Sequence, residues 1–475
     1  MSIADYSYMD EAPHEECGVF GVYDLDGGDV ASIIYYGLFA LQHRGQESAG
    51  LAVSDGRRIR IRKGMGLVTQ VLTDEAVANM PGSISIGHVR YSKAGEPHVA
   101  NAQPLLGFTQ HGQLALAHDG KLTNAPSLRQ RLQRDGAVLQ TTTDSELILN
   151  LIARQTGDPF EEAVVKAIGA LRGAFSVVLM TNDKLIGFRD YAGIRPLSIG
   201  RHGEATILAS ESAAFDTIGA DRVRDVEPGE LVVVDAQGLR TRQLQPAQAA
   251  FCVFEYIYFA RPDSHLAERN VHLIRKAIGR QLARESRIAA DLVIPAPDSG
   301  TSAALGYAEE SGIPFDFGLM KNRYVGRTFI QPTPALRQKG VRIKLNPVSA
   351  LLKDQRVIVV DDSIVRGTTS GKTVEMLKDA GAREVHMAIA SPPFIHACHY
   401  GIDIANTDDL IAAHRTQEEV RKIIGADSLH YLSLSGLYKA LQMPGTGLCT
   451  ACFTGEYPLG VGEPQSTSDL LEDEE

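Results

Sequence analysis

Three groups of residues in this 475-residue chain have the types and spacing of reactive chemistry. The first is Asp361-Asp362, an acid pair that closes the β-branched run Val357 to Val360 and precedes Ser363-Ile-Val-Arg-Gly-Thr-Thr-Ser370. Two such acids suit the hydroxyls of a ribose and, through water, a magnesium ion. The amides and hydroxyls of Arg366, Gly367, Thr368, Thr369 and Ser370 gather just ahead of a helical pattern, and that is a seat for phosphate. The second is Cys17, which opens a strand after a structureless acidic leader. A chain beginning at Cys17 carries its α-amine beside its thiol, so one residue is both nucleophile and base. The third is Cys449-Thr-Ala-Cys452, whose spacing lets two thiolates reach one metal, with Cys252 and Cys398 as distant partners. Four converging thiolates suit a tetrahedral zinc or an iron–sulfur cube, and spacing leaves both open.

The elements that position these residues differ between the two halves of the chain. Beyond about Gln245, helical and strand patterns alternate: a helix at 266–285, a strand at 291–297, a helix at 302–310, a strand at 357–361 with its helix, and a strand at 384–390. That alternation predicts a doubly wound parallel sheet whose ligands lie outside the strand carboxyl ends. Pro297-Asp298-Ser299-Gly300-Thr301 falls at one such end. The long loop between carries Lys321, Arg323, Arg327, Arg337, Lys339, Arg342 and Lys344, a cation density that suits a lid over pyrophosphate. Ahead of residue 250, strand patterns at 17–23, 50–53, 84–89, 114–117, 175–180, 207–209 and 231–234 outnumber helices, which lie at about 31–42 and between about 125 and 171. They predict a largely antiparallel layered domain. The expected division is a leader at 1–16, domains at 17–250 and 251–460, and an acidic tail at 461–475.

Composition excludes several classes. A net charge of -11 argues against a partner held through nucleic-acid phosphates. No apolar run has the length of a membrane span, and the leader lacks a secretory pattern, so a cytoplasmic protein is expected. Five cysteines are too few for a disulfide framework in a chain this long. Gly371-Lys372-Thr373 invites a Walker loop, but that motif needs glycine where Arg366 stands.

The acid pair, short Gly/Thr/Ser loop and helix resemble the signature of type I phosphoribosyltransferases, which bind 5-phosphoribosyl-1-pyrophosphate (PRPP). Cys17-Gly-Val-Phe-Gly, Gln42-His-Arg-Gly-Gln-Glu47, Gly87-His-Val-Arg-Tyr91, Asn101-Ala-Gln-Pro104 and Asp144 resemble the class II glutamine amidotransferase domain. Both motif sets on one chain, from Cys17 to about Gly460, resemble the glutamine PRPP amidotransferases, in the branch with a propeptide and an iron–sulfur cluster. The resemblance implies an α+β N-terminal nucleophile domain followed by an α/β type I phosphoribosyltransferase domain. It implies 5-phosphoribosylamine synthesis from PRPP and glutamine, the first committed step of purine biosynthesis. Cys17 is then the nucleophile, Gly120 lends its N–H to the oxyanion, Arg90 grips the substrate carboxylate and Asp144 its ammonium. Ser299, Asp361 and Asp362 hold one Mg2+ per subunit, and Cys252, Cys398, Cys449 and Cys452 hold one [4Fe-4S] cluster. A homotetramer inhibited by purine nucleotides is implied as well.

Three residues depart from the family pattern: Asp119 replaces the usual oxyanion-hole asparagine, Lys93 a threonine and Lys121 a second asparagine. A carboxylate cannot stabilise developing negative charge unless it is protonated. Lys93 or Lys121 supplying the missing donor, and a transferase fed by free ammonia, are both open on sequence grounds. So is a non-catalytic PRPP-sensing regulator.

Overall fold

Residues 18–243 form two antiparallel sheets laid face to face. In the seven-stranded sheet, Gly18–Tyr23 lies between Ile84–Arg90 and Ala205–Ala209. The six-stranded sheet pairs Gly112–Leu122 with Gly173–Met180. Val19, Ile86, Ala117, Val178, Met180 and Leu208 fill the space between the sheets. Phe20, Val22 and Leu51 face the other way, onto the helix Val30–Ala40. Helices Ala125–Arg134, Asp144–Ala153 and Phe160–Ala170 cover the outside of the second sheet through Leu128, Leu147, Leu151 and Ile168. The order is helix, sheet, sheet, helix, which explains why Gly18–Tyr23 is buried on both faces and reads as an unbroken apolar run. The computed structural model describes residues 17–24, 28–91, 98–322, 345–402, 404, 406–443 and 445–461.

The second half is built on a parallel sheet in the order Leu292–Pro295, Arg356–Asp361, Glu384–Ile389, Ser428–Tyr431. Phe315 bridges to Val293 on the outer edge, so the chain steps one way from Leu292–Pro295 and then back the other. The topological switch point therefore falls between Leu292–Pro295 and Arg356–Asp361, where a parallel sheet opens a crevice for ligands. Along the latter strand Ile358 and Val360 enter the core under helices Val271–Ser286 and Thr301–Ser311. Val357 and Val359 enter the opposite core, under Thr368–Asp379 and Gln417–Ile424. This two-sided burial is the physical content of the run Val357 to Val360.

Two expectations shift. The helix placed at 266–285 starts at Val271, because Ala267 and Glu268 take left-handed φ of 45° and 62° and close a hairpin between His265–Leu266 and Arg269–Asn270. Asn270 then caps the helix, its side chain accepting from the Leu273 amide at 3.1 Å. Strands Ile59–Met65, Leu105–Thr109 and Gly238–Gln243, absent from the sequence reading, lie at sheet edges with much of their surface exposed. The cationic loop is pinned at its base by the antiparallel pair Leu319–Lys321 and Leu345–Pro347. Arg323, Arg327, Arg337, Lys339, Arg342 and Lys344 lie outside the described residues, as do Lys93, the leader and all but Val461 of the acidic tail. No described helix is long and apolar enough to cross a membrane.

Candidate active site

Cys17 is gripped through its backbone on both sides. Its nitrogen donates to Asp119 Oδ1 at 3.2 Å, and its carbonyl accepts from Arg44 Nε at 2.9 Å. Its thiol lies 3.9 Å from the Tyr91 carbonyl. Those three partners come from the strand Gly112–Leu122 of the facing sheet, the turn after the first helix and the end of the paired strand Ile84–Arg90, so strand pairing and the stacking of the two sheets together assemble the nucleophile's surroundings. Gly120 follows Asp119 at φ 123°, and a Cβ there would sit 2.1 Å from the Ala174 carbonyl; only glycine fits. Leu122, on the same strand, donates its amide to Asp144 Oδ2 at 2.8 Å, at the start of the helix Asp144–Ala153. Burial raises the Asp144 carboxyl, against the Leu122 N–H and the cations Lys121 and Arg129.

Arg90 is buried and paired with Glu47, which orients its guanidinium before any substrate arrives. His88 is core: burial pushes its imidazole down to about 3, and Nε2 lies 3.0 Å from the His118 carbonyl. Asn101 and Gln103 act as a strap. Asn101 Nδ2 donates to Thr142 Oγ1 at 3.0 Å, and Gln103 Oε1 accepts from the His118 amide at 2.8 Å.

Nothing within Gln42-His-Arg-Gly-Gln-Glu47 assigns a role to Arg44. In the structure Arg44 is a buried hub, with Nη1 2.6 Å from Glu211 and Nη2 2.9 Å from Glu255. Burial works to raise Glu211, but His43 and Arg44 outweigh it and hold the carboxyl well below its usual range. Both partners lie too far along the chain for any local pattern to reveal them. Glu255 opens the π-helical turn Glu255–Phe259, which another buried arginine holds: Arg275 Nε donates to Tyr256 O at 2.7 Å and Nη2 to the carbonyl of Ala260, just past the turn, at 2.9 Å. The positive charge of Arg275 in turn bears on Asp362. Residues 255–260 are thus tied through Arg44 to Cys17 and through Arg275 to the charge that bears on Asp362.

At the switch point Asp361 ends its strand half-buried, and Asp362 is buried behind it. The Asp362 amide donates to Asp361 Oδ1 at 2.9 Å, and the Ser363 hydroxyl donates to Asp362 Oδ1 at 2.6 Å. Ser299, from the neighbouring strand end, also bonds the Asp362 side chain. Burial first, then the charge of Asp362, raises Asp361 well above the ordinary carboxyl value. Burial likewise raises Asp362, against the Ser299 and Ser363 hydroxyls and Arg275. Two crowded carboxyls with no lysine or arginine ion pair among the described residues, plus a serine hydroxyl, are an all-oxygen donor set that fits magnesium. Gly367, at φ 83°, caps the helix Thr368–Asp379, leaving Thr368 and Thr369 exposed and Ser370 buried at its N-terminal turn. Arg366 pairs with Asp409 at 3.1 Å, and Lys321, at the loop base, reaches Asp298 at 2.8 Å.

The cysteines other than Cys17 are neighbours. Phe251–Cys252 pairs in parallel with Leu448–Cys449, Cys252 opposite Cys449. The Ile395 and His396 amides both donate to the Cys452 carbonyl at 3.1 Å, which brings the segment holding Cys398 alongside. Burial, then the other three thiols, raises Cys452 well above the ordinary thiol value, and burial lifts Cys449 to about 12. Among the described residues no group of three or more His, Cys, Asp or Glu forms a closed metal cage, so the four thiols are neighbours without a preformed cage. An all-sulfur donor set fits iron–sulfur or zinc and excludes a hard cation.

Residues 88–217 match the glutamine amidotransferase domain model. The amidophosphoribosyltransferase of Bacillus subtilis (strain 168) is 47% identical over 454 residues, 94% of this chain and 95% of the relative. That of Mycobacterium bovis is 50% identical over 470 residues, 96% of this chain and 88% of the relative. Among solved structures, the allosteric regulatory enzyme of purine biosynthesis superposes at TM-score 0.91 with 46% identity, covering 95% of this chain and 98% of that one. Glutamine PRPP amidotransferase from B. subtilis, complexed with ADP and GMP, superposes at 0.90 with 45% identity, covering 96% of this chain and 100% of that one. With a thiol held against the matched glutamine amidotransferase segment, an acid pair at a parallel-sheet switch point, and relatives matched over nearly the whole length, the chain belongs to the amidophosphoribosyltransferase family, glycosyltransferases of purine biosynthesis.

Proposed function

We propose that the two sites run one reaction in two halves: Cys17 frees ammonia from glutamine, and residues 361–370 hold the PRPP on which that ammonia forms 5-phosphoribosylamine. The net change consumes PRPP, glutamine and water and yields 5-phosphoribosylamine, pyrophosphate and glutamate. Arg90 and Asp144 take the substrate carboxylate and ammonium, and Gly120 N–H receives the oxyanion. Asp361 and Asp362 take the ribose hydroxyls, and the helix terminus at Gly367 to Ser370 takes the 5-phosphate. Ammonia must reach ribose C1 neutral, so the route between the halves needs shielding from water. The observation that carries this reading is the position of residues 255–260, held by Arg44 on the thiol side and by Arg275 on the acid-pair side.

Ser299, Asp361 and Asp362 would hold one magnesium, which when bound neutralises charge on pyrophosphate. Cys252, Cys398, Cys449 and Cys452 would hold one [4Fe-4S] cluster, a brace that ties the C-terminal segment to the start of the second domain. Removal of residues 1–16 frees the Cys17 amine. The reading extends to domains at 17–250 and 251–460, a homotetramer, inhibition by purine nucleotides and a cytoplasmic setting. Support for the nucleotide part is the ADP and GMP in the solved B. subtilis relative. A second reading, a transferase fed by free ammonia, is favoured by one observation: the carboxyl of Asp119 beside Cys17. Pyrophosphate release from PRPP, measured with glutamine and with ammonium salt, separates them. Release with both is expected, release with ammonia alone establishes the second reading, and release with neither overturns both.

A further inference from the structure

Asp119 stands beside the nucleophile with one carboxyl oxygen engaged and the other idle. Oδ1 accepts from the Cys17 nitrogen at 3.2 Å, while Oδ2 is sealed from water and has no hydrogen-bond partner. The residue is 1% exposed. A carboxylic acid has the shape of a primary amide, one oxygen accepting and the second atom donating. We propose that Asp119 is a catalytic residue in its neutral acid form, its carbonyl oxygen accepting from the Cys17 nitrogen and its Oδ2–H donating to the oxyanion formed when Cys17 attacks glutamine. This rests on the reading of Cys17 as the glutamine nucleophile.

Burial, rather than the charges around it, favours the neutral form of Asp119. Arg44 Nη2 lies 3.6 Å from Oδ2, but its guanidinium already meets Glu211 and Glu255 at 2.6 and 2.9 Å. Arg195 also faces the site, with Glu255 opposing it. His118, adjacent on the strand, is neutral, its imidazole pushed down to about 3 by burial. Among the described residues Arg195 and Arg44 oppose the neutral form and Glu255 supports it, so what tips the balance is the cost of an ionised carboxylate in a buried place. Burial raises its carboxyl, against Arg195, Arg44 and the Cys17 N–H. Asp119 also meets the Cys17 nitrogen, which is an amine in a chain that begins at Cys17. An ionised Asp119 would hold that amine as ammonium, unable to take the thiol proton, whereas the neutral acid leaves its lone pair available.

The step balances without an oxidant. The Cys17 thiol proton passes to the α-amine, the sulfur bonds the amide carbon, and the carbonyl electron pair moves to oxygen, where Asp119 Oδ2–H and Gly120 N–H receive it. The oxyanion collapses, the C–N bond breaks, and the ammonium returns its proton to the leaving nitrogen. Water then cleaves the thioester to glutamate. Asp119 keeps its proton throughout.

The test uses the full mature chain and the ratio of glutamine- to ammonia-supported pyrophosphate release, from about pH 6 to about pH 9, in wild type, Asp119→Asn and Asp119→Ala. Ammonia-supported turnover on the same preparations detects a folding defect. The acid must stay protonated, so the wild-type ratio is expected to fall as pH rises through the Asp119 titration. Asp119→Asn, which cannot ionise, keeps its ratio to higher pH, and Asp119→Ala loses about a hundredfold to a thousandfold throughout. Identical pH limbs in wild type and Asp119→Asn, or full activity in Asp119→Ala, overturn the proposal. A wild type silent with glutamine beside an active Asp119→Asn shows an ionised Asp119 and overturns it while leaving the role of Cys17 intact. Silence of both with glutamine, while ammonia still supports turnover, overturns the Cys17 reading with it.

Discussion

Arg44→Met keeps most of the apolar stem and deletes a guanidinium that sits between two buried carboxylates, Glu211 at 2.6 Å and Glu255 at 2.9 Å. Removing one partner of a buried ion pair costs about 3–5 kcal/mol, mostly because the other charge stays buried. Glu211 keeps His43 and Ser264, each at 2.7 Å, so the lower end applies, about 3 kcal/mol. In a domain of this size that is a melting midpoint lower by about 6–12 °C. The pH dependence follows from the depressed Glu211 carboxyl. Its stabilisation is fully present above the unfolded value near 4.3 and is lost only as pH falls through the folded one, which lies well below pH 4, so the deficit is nearly the same at about pH 7 and about pH 4 and shrinks in stronger acid. Calorimetry of both proteins at about pH 7 and about pH 4 reads this directly. Cys17 also loses the 2.9 Å donor to its carbonyl, so glutamine-supported turnover should fall relative to ammonia-supported turnover. A variant that melts within about 2 °C of wild type, or whose deficit widens in acid, refutes the reasoning.

Asp361→Asn should lower PRPP turnover with glutamine and with ammonia by at least about tenfold, with glutamine hydrolysis still measurable. It also removes a charge crowded against Asp362, so the ligand-free protein should melt higher, and unchanged PRPP turnover would exclude the assigned role. Gly120→Ala puts a methyl group 2.1 Å from the Ala174 carbonyl at φ 123°, which displaces the strand. Backbone strain of about 1–3 kcal/mol and a roughly hundredfold lower glutamine-to-ammonia turnover ratio are expected, readable by melting and by kinetics. Anaerobic purification should give a brown protein with about four irons per chain, and a colourless zinc protein would replace the cluster in the account.

The chemistry was legible in sequence wherever it is local. Val357 to Val360, the acid pair and the Gly367 turn are contiguous, and a strand feeding a helix leaves little freedom in how they sit. Cys17, Asp119 and Gly120 became a site only through the neighbouring motifs, since the contact that joins them crosses between the two stacked sheets and spans about a hundred residues. Arg44 went unassigned because its partners Glu211 and Glu255 arrive from distant turns. The hairpin ahead of Val271 was missed because its left-handed residues are Ala267 and Glu268, where sequence reasoning looks for glycine. Polar edge strands such as Gly238–Gln243 carry too little apolar alternation to announce themselves.

The central claim is that nitrogen released at Cys17 is used on PRPP at residues 361–370 of the same chain. Pyrophosphate release by Cys17→Ser, measured with glutamine and then with ammonium salt, tests it most directly. The account predicts that glutamine no longer supports turnover while ammonia supports it at close to the wild-type rate. Equal loss with both nitrogen sources, or undiminished turnover with glutamine, would contradict it.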